Sequence, residues 1–274
     1  MPAVADRPVD GLLVVAAAHE APCVQAAAGG EAVVLSTPSP DREGPNQDAA
    51  AILPCGPGRA VLAVADGVGG HAAGSRASTA AVEALRDAVA DALSRDGSLR
   101  DGILDGFERA NAAIRAQGVG AATTLVVAEL EDGLLRPYHA GDSQLVLVGQ
   151  RGRIKHQTVP HSPVGQAVDA GFLDEREALV HDERHVISNA VGSYDMSIEV
   201  GPTLRVAARD TLLLASDGLF DNLTMKEAVD GVRCGALAAG VEALGARARR
   251  RMEAPAGAGP SKPDDCTILA WRPR

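Results

Sequence analysis

Two apolar runs in this chain finish on the same dipeptide. "AVLAVADG" (60–67) and "TLLLASDG" (211–218) each read as a buried strand closed by an aspartate and a glycine. A carboxylate at the end of a buried strand is costly unless a cation meets it. A glycine beside it lets the backbone approach a neighbour closely. The fold must therefore bring strand ends to a place where negative charge is compensated.

The loop after Asp66 admits three readings. "GVGGHA" fits G-x-G-x-x-[GA], but a dinucleotide unit needs a second strand ending in an acid about 20 residues on. Residues 75–95 instead form one helical pattern, with Asp87 inside it. "GGHAAGS" lacks the Lys-Ser/Thr pair of a phosphate-binding loop, and Asp66 would face the anion. The third reading is a hard divalent metal held by oxygen alone, from the Asp66 carboxylate and a glycine carbonyl.

One aspartate does not make such a site. "PNQDAA" places Asp48 before an apolar stretch, "YHAGDSQLVLV" places Asp142 at a strand start, and "PDDCTILAW" places Asp264 and Asp265 before the last strand. Any one alone reads as a turn or strand cap. Five acids at strand ends, two as Asp-Gly after apolar runs, point to a shared centre.

Composition sets the surroundings. Hydrophobic residues make up 46% of the 274 positions but aromatics only 2%, so the core is expected to be Ala, Val, Leu and Ile. A net charge of −10 argues against a nucleic-acid partner, which would need a basic face, and suits a protein that collects cations. The four cysteines are scattered without a C-x-x-C pair, which predicts reduced thiols in a cytoplasmic protein. No apolar run approaches the ~20 residues that span a bilayer, and the N-terminus does not read as a secretory signal.

Residues 1–30 read as a weakly patterned lead-in, with one extra strand at "GLLVVAAA". From 31 to 274, grouped strands and grouped helices predict an α+β domain. One helix lies over 75–95 with Ala80, Leu85, Val89 and Leu93 near one face. A second carries Ile103, Phe107, Ala110 and Ile114. Residues 122–159 read as an antiparallel meander. Residues 160–196 read as a flap with a short helix near "LDEREALV", and two helices precede the final strand.

The ordered motifs "REGPNQDA", "ADGVGGHAAGSRAS", "AGDSQL", "HVISNAVG", "LLLASDGL" and "DDCT" resemble the metal-dependent Ser/Thr protein phosphatases of type 2C in their bacterial form. The resemblance covers roughly residues 31–272. It implies a four-layer α/β/β/α sandwich of two mostly antiparallel sheets flanked by helices. It further implies manganese or magnesium, with two core ions and a weaker third, and hydrolysis of phosphoserine and phosphothreonine proteins by direct attack of a metal-activated water. Matching positions imply Asp66, Asp217 and Asp264 around one ion, and Asp48, Asp66 and the Gly67 carbonyl around the second. Asp142 with Asp217 would hold the third, and Arg42 would grip the phosphate. The resemblance implies that Asp66 and Asp217 carry the catalytic centre. A cytoplasmic monomer acting opposite a cognate Ser/Thr kinase is the expected context.

The chain departs from the pattern in places. Arg42 stands six residues before Asp48, where the family has five. Gln144 and Asn189 replace family arginines, and Val68 stands where eukaryotic members have a histidine acid. His71 lies nearby, as either a packing or a catalytic histidine. Two alternatives follow: a weak or inactive pseudophosphatase used as a binding module, and a metallopeptidase built on "HDERH". The second lacks the glutamate required directly after His181.

Overall fold

The computed structural model describes residues 11–16, 18, 21–68, 71–118, 120–254 and 260–274, apart from the side chain of His71. Strands β1 (Leu12–Val15), β2 (Cys23–Ala27), β3 (Gly30–Thr37), β4 (Asp48–Pro54) and β5 (Arg59–Val68) precede helices α1 (His71–Ser94) and α2 (Leu99–Ala116). Strands β6 (Ala122–Thr123), β7 (Leu125–Glu131), β8 (Leu134–Ala140), β9 (Gln144–Gly149) and β10 (Ile154–Gln157) follow. Next come α3 (Pro163–Asp169), α4 (Glu175–Ala178), β11 (Glu199–Val200), β12 (Leu204–Arg205) and β13 (Asp210–Ala215). The chain closes with α5 (Asp217–Phe220), α6 (Met225–Val232), α7 (Leu237–Met252) and β14 (Cys266–Pro273).

The strands form two antiparallel sheets. One runs β1-β4-β5-β7-β8-β11, with β6 on β5 and β12 on β8; the other runs β10-β9-β13-β14-β3-β2. Strands buried on both faces explain the unbroken apolar runs. In β5, Val61, Ala63 and Ala65 pack toward α1 and α2, while Ala60, Leu62 and Val64 pack between the sheets. In β13, Leu212 and Leu214 face the first sheet, and Leu213 and Ala215 face α6 and α7. Period-two alternation thus builds three apolar layers in one chain. The result is the expected α/β/β/α sandwich.

Several local expectations change. The strand expected in the lead-in is β1, which pairs with β4, but β2 is a second one, paired with β3. Its pattern of alternating exposed positions at a sheet edge hid it. On α1 the buried stripe runs through Ala77, Ala81, Leu85, Ala88 and Ala92, so Ala80 and Leu93 lie at its border. All four positions expected on α2 are buried. The two helices sit close because α2 has glycines where they cross: a Cβ on Gly106 would lie 2.9 Å from the Leu85 Cα.

The meander is also split. β7 and β8 pair in the first sheet, but β9 and β10 belong to the second. The chain changes sheet through Gly141, Asp142 and Ser143. Gly141 has φ +113° and no room for a Cβ, which would lie 2.6 Å from the Thr124 side chain.

Candidate metal centre

Strand register gathers the acids at one end of the sandwich. Asp48 and Asp66 are direct partners across β4 and β5. In the second sheet, the end of β13 at Ala215 pairs with Gln144, the start of β9, and with Ile268, two residues into β14. Asp217, Asp142 and Asp264 flank those three positions. The two sheets therefore contribute carboxylates to a common edge.

Asp66 is the hub. Burial first, and then the charges of Asp217, Asp48, Asp264 and Asp142, push its carboxyl well above the usual range. Asp48 is raised for the same primary reason, burial, and then by Asp265. Asp142 is pushed up to about 8 and Asp264 to about 7, each by burial and then by Asp217. Asp217 is the exception. Burial would raise it, but the Lys262 ammonium beside it holds it below the ordinary carboxylate value.

Side chains without chemistry hold these groups in place. The Ser216 hydroxyl donates to Asp48 Oδ2 at 2.7 Å and accepts from the Thr267 amide at 3.0 Å. Thr124 Oγ1 accepts from the Asp66 amide at 2.9 Å and lies 2.6 Å from Ser143 Oγ, beside Asp142. The glycines after Asp66 serve packing: a Cβ on Gly67 would lie 2.1 Å from the Gly74 carbonyl oxygen. Gly67 thus sits where strand end and helix start nearly touch. With its amide nitrogen turned to the Gly67 carbonyl (3.0 Å), Gln47 accepts from Arg42 at 3.2 Å.

The donor set suits divalent cations. Asp48 Oδ1, Asp142 Oδ1 and Asp217 Oδ1 are buried and lack a hydrogen-bond partner among the described residues. Unpartnered buried carboxylate oxygens are costly, and hard divalent ions satisfy such oxygens directly. A second group, His139, His161 and Glu199, brings three donor atoms within 4.8 Å of one another. Its ring nitrogens are largely engaged. His139 Nε2 lies 2.9 Å from the Val159 carbonyl, His161 Nδ1 accepts from the Gly141 amide at 3.1 Å, and His161 Nε2 meets Glu199 at 3.2 Å. We read it as a hydrogen-bonded brace between the sheet crossing and the flap.

A protein phosphatase 2C family model matches residues 40–237. The chain belongs to the protein phosphatase 2C family. Protein phosphatase PhpP of Streptococcus pneumoniae is 34% identical over 183 residues, covering 63% of this chain and 72% of that protein. The S. agalactiae serine/threonine phosphatase shares the fold with a TM-score of 0.74 and 26% identity, over 89% of this chain and 100% of that one. The catalytic domain of the phosphatase PstP, solved in complex with 2 manganese ions, shares it with a TM-score of 0.65 and 26% identity, over 88% and 96% of the two chains.

Within this phosphatase 2C fold, the other residues singled out from sequence are placed as follows. Arg42 lies at the edge of the centre, paired with Asp265 and 3.8 Å from Asp264. Gln144 accepts from Gln157 at 3.2 Å, and Asn189 bonds within the flap, to the Ser197 carbonyl at 2.7 Å. Both lack the reach and charge of an arginine. Val68 is exposed, and the side chain of His71 lies outside the described residues. A cavity of about 890 Å³ opens beside Asp142 and Asp217, walled by the flap helices α3 and α4 and by α6.

Sequence reasoning missed Lys262 and Asp221. The Lys262 ammonium contacts Asp217, lies 2.8 Å from Asp221 Oδ2, and lies 3.6 Å from Asp264 Oδ2. Asp221 had a signal, because it follows Asp217 by four residues and, as the C-cap of α5, lies one helical turn from it. Lys262 had only its position two residues before Asp264.

Proposed function

We propose that Asp48, Asp66, the Gly67 carbonyl, Asp217 and Asp264 hold two manganese or magnesium ions, and that this centre hydrolyses phosphoserine and phosphothreonine in proteins. The observation that carries the reading is the convergence of acids from both sheets on Asp66, with buried oxygens lacking partners. When bound, such ions activate water and neutralise the phosphoryl group in the transition state. The chain's own part is positioning. Ser216 and Thr267 fix Asp48, Thr124 fixes the backbone at Asp66, and the sheet crossing at Gly141 fixes Asp142 at the cavity mouth.

Phosphate capture is the chain's weaker function. Arg42 reaches the edge of the centre but is paired, while Gln144 and Asn189 bring no positive charge. These changes favour the pseudophosphatase alternative. The complete carboxylate set favours the enzyme, and the enzyme is the conclusion. The reading extends to a cytoplasmic monomer opposing a Ser/Thr kinase. The scattered cysteines and the charge of −10 support the compartment, and the family's phosphoprotein chemistry supports the kinase. Among the described residues, no helix is long and apolar enough to cross a membrane.

The test is hydrolysis of p-nitrophenyl phosphate and of phospho-Ser/Thr peptides with and without Mn2+. Activity that requires the ion supports the reading, and full activity after exhaustive chelation overturns it.

A further inference from the structure

We propose that the Lys262 ammonium is a tethered cation that takes the place of a third metal ion beside Asp217 and Asp221, making this chain a two-ion enzyme. The inference rests on the metal-phosphatase reading above.

The placement of Lys262 is built by the fold. Asn222, fully buried, clamps its backbone on both sides: Asn222 Oδ1 accepts from the Lys262 amide at 2.9 Å, and Asn222 Nδ2 donates to the Lys262 carbonyl at 2.9 Å. The same Nδ2 donates to the Gly218 carbonyl at 3.0 Å, next to Asp217. One amide thus ties the lysine backbone to the short helix that carries Asp217 and Asp221. The side chain is mostly buried and ends among three carboxylates, Asp217, Asp221 and Asp264.

The carboxylate oxygens divide into two sets. Asp217 Oδ2, Asp221 Oδ2 and Asp264 Oδ2 face the ammonium, whereas Asp48 Oδ1, Asp142 Oδ1 and Asp217 Oδ1 are buried without partners. A third ion held by Asp142 with Asp217, as the resemblance implies, would lie against the ammonium already bonded to Asp217 and Asp221.

Lysine suits this role as a compact ammonium on a flexible stem. It has three donors, and three carboxylates surround it. Because the cation is covalently attached, it is present at any metal concentration.

Equilibrium dialysis of the full chain against Mn2+ alone tests the proposal, with circular dichroism to verify folding. Wild type is expected to saturate at two ions. Lys262→Met is expected to bind a third, at least about tenfold more tightly than any third ion on wild type. Lys262→Arg, which keeps the charge, is expected to stay at two. Lys262→Gln carries the same expectation as Lys262→Met should the latter fail to fold. A wild-type chain that binds three ions as tightly as the neutral variants overturns the proposal and leaves the phosphatase reading standing. Neutral variants that stay at two ions with unchanged affinity also overturn it. A wild type that binds no Mn2+ and hydrolyses no phosphoester overturns the phosphatase reading, and the proposal with it.

Discussion

Arg42 is paired with Asp265, the neighbour of the expected metal ligand, and so is held at the rim of the carboxylate centre. Asp265 is almost fully buried. It accepts from the amides of Ser39 and Gln47 at 2.8 Å each, as well as from Arg42. It therefore anchors the whole loop that joins β3 to β4. Asp264 stands between the two cations, Oδ1 3.8 Å from Arg42 and Oδ2 3.6 Å from Lys262.

The two neighbours should therefore respond differently to substitution. Asp264→Ala is expected to lose Mn2+ affinity and nearly all activity. Asp265→Asn keeps one acceptor oxygen, enough for only one of the two loop amides, so it should lose stability; with the Asp264 carboxylate untouched, it should still retain most Mn2+ affinity and activity. It also weakens the hold on Arg42, so KM for phosphopeptide should stay level or fall. Dialysis and steady-state kinetics on both variants check this. The reverse pattern would mean that Asp265 is the ligand.

Asp142 has one oxygen buried without a partner, yet it sits on the sheet crossing rather than in the Asp48–Asp66 pair. Asp142→Ala should lower turnover on phosphopeptides while two Mn2+ ions remain bound. Ion counting by dialysis decides it, and loss of both ions would place Asp142 in the core set.

The pH dependence follows from the raised carboxyls. Asp142 and Asp264, pushed up to about 8 and about 7 by burial and then by Asp217, hold protons that the unfolded chain releases near 4. A raised folded-state value stabilises below the unfolded one and loses that contribution as pH rises through the folded one. The metal-free protein should therefore melt at progressively lower temperature from about pH 4 to about pH 8. Mn2+ must displace the same protons, so its affinity and the rise in Tm it confers should grow across that window. Melting curves with and without the ion at pH 5, 6, 7 and 8 measure both.

Gly67 tests the close approach of strand and helix. With the Gly74 oxygen 2.1 Å from any Cβ, Gly67→Ala must push β5 and α1 apart. We expect a loss of about 1–3 kcal/mol in stability together with most of the activity. A fully active, equally stable Gly67→Ala would remove the packing argument.

On α6, Glu227 caps the helix with Thr224 and pairs with Arg251. The Arg251 guanidinium holds its carboxyl down to about 2. This contribution is complete above about pH 4.3, the unfolded value, and fades as pH falls toward 2. Glu227→Ala should cost about 1 kcal/mol near pH 7, mostly as a lost cap, and leave kcat unchanged. Urea denaturation and kinetics on the same sample check both halves.

The sequence made the layers legible because both faces of β5 and β13 are buried, and unbroken apolar runs announce such strands. It made the aspartates legible because each breaks or borders such a run. Strand assignment to sheets was harder: β8 and β9 are neighbours in sequence with an ordinary turn signal between them, and only the strained φ of Gly141 marks the crossing. Arg42 was legible as a basic group near the centre, but its pairing depends on a loop that folds back across more than 200 positions to Asp265. Lys262 was hidden for the same reason. Nothing local shows that Asn222, 40 positions earlier, clamps its backbone.

The crossing at Gly141 and the split of the acids between two sheets have a mechanical consequence. The carboxylate constellation spans the seam of the sandwich, so its dimensions depend on how the two inner faces interlock. Leu62, Leu147 and Leu214, packed in that seam, set the spacing as surely as the aspartates do. Phosphatase turnover is thus a gauge of sheet alignment. A volume change deep in the seam should be felt at the rim before the protein melts.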